Sequence, residues 1–312
     1  MKIDRRGLLL AGLLAPAAAF AEQFAGKYQP QAQPIGEGIW MVRGADEAIG
    51  FANGGAIANS AIIATDAGAV LFDPGVSREH GLALGALAQR LTGKPVGRVY
   101  ISHLHPDHAM GAAAFDPAII HALPATRAEL ERDGEGFSDA MYRLLADWMK
   151  GTAVVLPQGD LAGGSTQFGG RPFRLLALKG HSGGDLAMID ERTATLVTGD
   201  LVFHDRAPST PHASLPDWRA SLGVLAGLPH KVLVPGHGPL DRDGSAIAQT
   251  RDWLDWVEQS LHKAVVDGLD MSEAGDLPIP ARFAALKAAR YELQRSVSHF
   301  YPRLEAELLP KL

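Results

Sequence analysis

Residues 103–108 read His-Leu-His-Pro-Asp-His, which places three imidazoles and one carboxylate within six residues. They directly follow the apolar run Val99-Tyr100-Ile101. Side chains two apart on an extended chain point the same way, so His103 and His105 can reach one cation from a strand end. Asp107 and His108 lie just beyond, where the chain turns, and address a neighbouring point. Imidazole nitrogens and carboxylate oxygens are ligands that zinc accepts when no thiolate is present. The chain has 0 cysteines. Disulfides, thiolate zinc sites, iron–sulfur clusters and a cysteine nucleophile are therefore excluded.

Three more segments repeat one design, an apolar run ending in a metal-ligating residue type within a glycine-rich turn. Leu175–Leu178 leads to Gly180-His181-Ser182-Gly183-Gly184-Asp185, Thr195–Thr198 to Gly199-Asp200, and Val232–Val234 to Pro235-Gly236-His237-Gly238. Glycine beside a ligand permits tight turns and close backbone approach. Such residues form one site only if the strands that carry them lie side by side. Asp73 ends another apolar run, Ala69–Phe72, and is placed to orient a ligand or a turn.

The elements that must position these groups are legible in outline. Apolar runs predict strands at Ile39–Val42, Gly54–Ala58, Ala61–Ala64, 69–73, 97–101, 175–178, 186–189, 195–198 and 232–234. Helical spacing marks 77–92, 126–150 with a break at Gly134-Glu135-Gly136, 215–227, 245–265, and 281–309 with an interruption at Pro302. Strands followed by helices, twice over, imply helices packed outside a sandwich of sheets. No internal repeat and no linker between two domains is visible, so residues 22–312 read as one domain with a C-terminal helical segment, 245–312. That segment is equally suited to packing on the core, covering the site or dimerising.

The first 21 residues read as an address. Lys2, Arg5 and Arg6 form a basic start, Leu8 to Ala15 an apolar stretch too short to span a bilayer, and Ala19-Phe20-Ala21 a cleavage site. Arg5-Arg6 resembles a twin-arginine export signal, with the Sec route as the alternative. Export implies a periplasmic protein with no membrane anchor once the signal is cut. The 29 basic and 35 acidic residues give a formal charge of -6. No basic excess exists to neutralise a phosphate backbone, so nucleic acid is not an expected partner.

Taken together, the motifs from Asp73 to His237 resemble the metallo-β-lactamase superfamily of hydrolases. The resemblance implies an α/β fold, a four-layer αβ/βα sandwich of two mixed β-sheets flanked by helices. It implies a dinuclear centre with His103, His105 and His181 on the first metal, Asp107, His108 and His237 on the second, and Asp200 bridging both. Two zinc ions are the expected cofactors, with iron or manganese behind them. Such a pair acidifies a bridging water for attack on an ester, thioester, lactone or amide carbonyl of a small-molecule substrate. Asp107 would orient the nucleophile or pass a proton to the leaving group. The lactamases that ligate a second zinc through cysteine are set aside, since no thiol stands at the Asp200 position.

A narrower resemblance rests on residues 199–213, on Leu233-Val-Pro-Gly-His-Gly-Pro239 and on Arg295-Ser-Val-Ser-His299. These segments look like the quinoprotein relay zinc metallohydrolases, which implies a link to a quinoprotein (PQQ) dehydrogenase or cytochrome system. Activity on β-lactams, or a non-catalytic accessory or metal-binding role in such a system, are the alternatives. His204 and His212, in or beside the proline-rich loop after Asp200, are candidates to line the substrate pocket. His80, His121, His230, His262 and His299 have no metal-ligating neighbour in the sequence and read as structural.

Overall fold

The computed structural model describes residues 26–308. The expected export signal, 1–21, lies outside the described residues. Seven strands form the first sheet in sequential order: β1 (Ala32–Gly36), β2 (Ile39–Val42), β3 (Ser60–Ile63), β4 (Ala69–Phe72), β5 (Val96–Tyr100), β6 (Ile120–Ala122) and β7 (Gly159–Asp160). Neighbours are antiparallel from β1 to β4 and parallel from β4 to β7. The second sheet runs in the order β12-β11-β10-β9-β8, built from β8 (Gly164–Phe168), β9 (Arg171–Leu178), β10 (Asp185–Asp190), β11 (Thr195–Val197) and β12 (Val232–Val234). Only its β11/β12 pair is parallel.

Strand alternation decides what each face meets. Along β10, Leu186 and Met188 join Met41, Ile63, Phe72 and Tyr100 of the first sheet in the layer between the sheets. Ala187 and Ile189 turn the other way, into the cluster shared with the helices. On the far side of the first sheet, Leu84, Leu87 and Ala88 of α1 (Arg78–Thr92) pack on Ile62 and Leu71. Leu130 of α3 (Pro124–Leu145) packs on Val99 and Ile120. A short helix, α2 (Pro106–Ala109), lies between them in the chain. The second sheet is covered by α4 (Leu215–Ala226), α5 (Ser245–Val266) and α7 (Ala289–Leu308), with the short α6 (Met271–Gly275) before α7. The result is two mixed sheets flanked by helices, the sandwich expected from the motifs. The C-terminal segment thus packs on the core, through Trp253, Leu254, Val257, Leu293 and Phe300.

Four local expectations fail. Gly54–Ala58 is no strand. A 3-10 turn, Phe51–Asn53, precedes it, Gly54 and Gly55 take left-handed φ values of 57° and 74°, and the Asn53 carboxamide accepts from Gly50 and Gly55. The break at Gly134-Glu135-Gly136 is absent because Gly134 serves contact: a Cβ there would stand 2.8 Å from Val154. Pro302 does not interrupt α7, whose flanking Phe300 and Tyr301 are buried in the core and whose Tyr301 hydroxyl donates to Leu269 O. The last helix starts at Ala289 rather than 281. No helix among the described residues is long and apolar enough to cross a membrane.

One ion pair ties the two sheets together. Arg171 on β9 is 1% exposed and Asp190 on β10 is fully buried. The guanidinium donates two bonds of 2.7 Å to that carboxylate. It also donates to the carbonyls of Glu37, Gly38 and Ala64 in the turn regions of the first sheet, at 2.9, 3.2 and 3.2 Å. Removing one partner of a buried pair leaves the other charge uncompensated, at a cost of about 3–5 kcal/mol. Arg171→Met is therefore expected to lower unfolding free energy by about that amount in urea titrations. A loss within the range of ordinary surface substitutions would remove this fork from the account of the sandwich.

Candidate metal centre

Strand direction brings the sequence-predicted residues to one edge. β4 and β5 are parallel neighbours, so Asp73 and the 103–108 segment follow the same edge of the first sheet. β9 and β11 both run antiparallel to β10, and β12 is parallel to β11. The C-terminal ends of β9, β11 and β12, which lead to His181, Asp200 and His237, therefore share one edge of the second sheet. Two glycines make the close approach possible. Gly199 has φ 50°, and its Cβ would meet Ser102 at 2.7 Å. A Cβ on Gly236 would meet Asp200 Oδ1 at 2.0 Å.

The convergence yields two clusters, His103/His105/His181/Asp200 and Asp107/His108/His237, each with its ligand atoms within 4.8 Å of one another. All seven residues are buried. Asp200 spans them. Its Oδ1 lies 3.0 Å from His108 Nε2 and 3.2 Å from His237 Nε2, while Oδ2 lies 3.3 Å from His181 Nε2. Asp107 Oδ2 completes the second cluster, 3.4 Å from His237 Nε2.

Whether these residues suit metal ions is answered by where their protons sit. His237 Nδ1–H donates to the Ile57 carbonyl at 2.9 Å, and His108 Nδ1–H to Asp73 Oδ2 at 2.7 Å. The Ser102 hydroxyl donates to Asp73 Oδ2 at 2.8 Å and so accepts from His103 Nδ1, also at 2.8 Å. In the neutral form each of these rings has one proton, so three Nε2 lone pairs face inward bare. His105 Nδ1 sits 2.9 Å from both His103 Nε2 and His181 Nε2. Nitrogens sharing one tetrahedral zinc at about 2.0–2.1 Å would lie roughly 3.3 Å apart. Asp200 Oδ1 is buried without a hydrogen bond. Converging lone pairs and an unsatisfied carboxylate oxygen fit a dinuclear metal site.

The electrostatics agree. Burial, reinforced by the neighbouring imidazoles, holds His103 and His105 well below the usual imidazole range, and burial pushes His181 down to about 3. The neutral form, the one able to ligate a cation, is therefore favoured for these three rings. Burial also opposes charge on His108, but Asp200, Asp73 and Asp107 outweigh it and raise that ring well above its ordinary value. Burial would likewise raise Asp200, yet His237, His108 and His181 hold it well below the carboxylate range. Positive charge is favoured between these carboxylates, whichever cation carries it.

His212 comes to the site, its Nδ1 2.8 Å from His105 Nε2, and lines the cleft. His204 does not. Its Nδ1 donates to the Pro239 carbonyl at 3.0 Å, which holds it outside the cleft. Several supports escape sequence reasoning. Ser102 stands next to His103, and that adjacency is a signal that could have found it. Asp185 Oδ2 accepts the backbone N–H groups of His181 and Ser182 at 2.9 and 3.0 Å, and so sets the turn that presents His181. Asn59 Nδ2 donates to Pro235 O and Gly238 O on either side of His237, at 2.8 and 2.9 Å. Phe203 stacks on His237 at 5.2 Å, and Trp218 meets His181 edge-on at 5.0 Å.

Asp73 fixes the tautomer of His108 and, through Ser102, that of His103. Partners of this kind typically carry a 10–100-fold effect on metal affinity. Asp73→Asn is expected to weaken binding of a divalent ion by about that factor, read by competition with a chromophoric chelator. Unchanged affinity would mean that Asp73 serves the fold alone.

Comparison with known proteins agrees with this geometry. The family model for the metallo-beta-lactamase superfamily matches residues 53–237. No curated protein matches the chain. Among solved structures, the metallo-beta-lactamase from Pontibacter korlensis is similar with a TM-score of 0.59 at 20% identity, covering 73% of this chain and 99% of that one. One from Hirschia baltica gives 0.56 at 18%, covering 73% and 98%. FIM-1 from Pseudomonas aeruginosa, in its mono-zinc form, gives 0.58 at 16%, covering 74% and 96%. With the matched region spanning most of both sheets and all seven candidate ligands, the chain belongs to the metallo-beta-lactamase superfamily.

Proposed function

We propose that this protein is an exported, zinc-dependent hydrolase that uses a pair of metal ions to cleave an ester, thioester, lactone or amide-type bond in a small molecule. The observation that carries the reading is Asp200, which offers one oxygen to each of two clusters of inward-facing imidazole nitrogens. Zinc suits a donor set of neutral imidazoles and carboxylates, and one structural neighbour is described in a mono-zinc form. Held by these ligands, two zinc ions would polarise a carbonyl oxygen and bring the acidity of water close to neutrality.

The remaining work falls to the chain's own residues. Asp107 is the most open carboxylate of the cluster, with its side chain 11% exposed against 3% for Asp200, and it lines the cleft. It is placed to hold the attacking oxygen by its proton and to hand a proton to the leaving atom. His212 holds the His105 ring from outside. Ile49, Ile57, Phe137 and Met141 supply an apolar wall to a cleft of about 260 Å³, which suits one small molecule. Periplasmic location and a quinoprotein dehydrogenase system as the setting rest on the N-terminal pattern and on segments 199–213, 233–239 and 295–299.

Protein purified with zinc is expected to carry close to two equivalents and to turn over at least one member of a panel of lactones, thioesters, aryl esters and β-lactams. His105→Ala should lose at least one equivalent and cut turnover by two orders of magnitude or more, on the scale of general catalytic losses. Intact zinc content and intact turnover in that variant would defeat the proposal. A full zinc complement with no activity across the panel would favour an accessory role.

A further inference from the structure

The cleft that holds the candidate metal ligands is also lined by a compact ionic cluster. Arg206, Ser209, Glu292 and Arg295 line the same cavity as His105, Asp107, Asp200 and His237. Glu292 is fully buried on α7, and Arg206 is 2% exposed. The Glu292 carboxylate accepts from Arg206 Nη2 at 3.2 Å through one oxygen and from Arg295 Nη1 at 3.2 Å through the other. Two guanidinium groups share one carboxylate, so the cluster carries a net positive charge facing a small cavity.

The guanidinium groups are not used up by the protein. Arg206 Nε is buried without any hydrogen-bond partner. Arg295 spends Nη1 on Ser209 Oγ, at 2.8 Å, and on Glu292. Its Nε and Nη2 have no partner among the described residues. These two nitrogens form one edge of the guanidinium, the edge that pairs with a carboxylate through two parallel bonds. The Arg295 side chain is 38% exposed, open to an incoming ligand yet anchored at its Nη1 by Ser209 and Glu292. A fork held at one end and free at the other is preorganised, so less rotamer entropy is lost on pairing.

We propose that Arg295, backed by Glu292 and Arg206, selects substrates that carry a free carboxylate, binding that carboxylate on the cleft wall while the scissile carbonyl lies at the His/Asp clusters that line the same cleft. The inference rests on the hydrolase reading and names the substrate class for it. Arg295 and Glu292 lie beyond residue 237, outside the stretch that the family model matches. The anchoring guanidinium and its carboxylate are thus carried by α7, while Arg206 and Ser209 come from the matched stretch.

The test compares two esters of similar size, 4-nitrophenyl hydrogen glutarate and 4-nitrophenyl butyrate, with glutarate itself as a ligand that cannot turn over. The zinc-loaded protein is expected to favour the anionic ester about tenfold or more in kcat/KM, as befits charge-assisted bonds. Arg295→Met should erase most of that preference through KM, and Arg295→Lys should restore part of it. Equal turnover of both esters by the wild type, or a preference unmoved in Arg295→Met, would overturn the proposal. If neither ester is hydrolysed, calorimetry with glutarate decides the anchor independently of catalysis. Binding weakened about tenfold in Arg295→Met, at equal zinc content, sustains it, and equal binding sinks it. Zinc content and melting temperature of each variant separate loss of the anchor from loss of the fold.

Discussion

Asp200 is a carboxylate buried among imidazoles, and the rest of the molecule is arranged so that this is tolerable. An isolated buried charge costs many kcal/mol, so it persists only when paired or when it coordinates a cation. Here the pairing is made by side chains from both sheets at once. His108 and His103 arrive from the end of β5, His181 from the end of β9, and His237 from the end of β12. None of these strands could be displaced by a residue without turning its ligand away. The register of two sheets and the position of one carboxylate are thus a single constraint. The sheets themselves are held in place by an equally demanding group, Arg171, whose guanidinium is satisfied only when turns of the opposite sheet are in position.

Proton placement extends the same constraint outward. A histidine ligand is useful only if its inward nitrogen is bare, and that depends on what the outward nitrogen meets. Asp73 serves two rings, directly for His108 and through Ser102 for His103. It sits at the end of β4 with φ 60°, a left-handed conformation that aspartate tolerates better than most residues. His237 is served instead by a main-chain carbonyl, Ile57 O, within the loop whose small apolar residues suggest a strand. That loop is irregular because its carbonyl and the Asn59 side chain are both turned toward the His237 segment.

The candidate ligands are legible because their chemistry is written locally: residue type and a preceding apolar run are visible in a short window, with an adjacent glycine at His181, Asp200 and His237. The groups that support them are less so. Asn59 and Pro235 are 176 residues apart, and nothing near Asn59 announces the contact. Some strands escape notice for a related reason. β6, β7 and β8 are short or polar, reading IHA, GD and GSTQF, and owe their conformation to the neighbour they pair with. The runs of β2 to β5 and of β9 to β12 carry enough β-branched and aliphatic residues to declare themselves. The helical periodicity of the C-terminal segment is clear as well, but periodicity cannot say what a polar residue at its edge will face. His204 and His212 show the same limit. Both flank or occupy one proline-rich loop, and only tertiary contacts send one ring to His105 and the other to a carbonyl outside the cleft.

The C-terminal helix is where fold and chemistry part company. The solved relatives cover about three quarters of this chain, and the matched family region ends at His237. The chain beyond His237 completes the helical layer on the second sheet, a packing role that Leu293, Val297 and Phe300 discharge on one face of α7. Stability alone gives no reason for Glu292 and Arg206 to be ionic and buried, since apolar residues of similar volume often serve as well or better. Nor does it explain why Arg206 keeps a buried nitrogen without a partner. Groups of this kind are costly where they do nothing but pack, and they sit here on the wall of the cleft that also holds the candidate metal ligands. Charges partly removed from bulk water are screened less than charges on an open surface. Carboxylates among imidazoles and a pair of guanidinium groups thus share one cleft, so its wall offers groups of both signs to whatever enters.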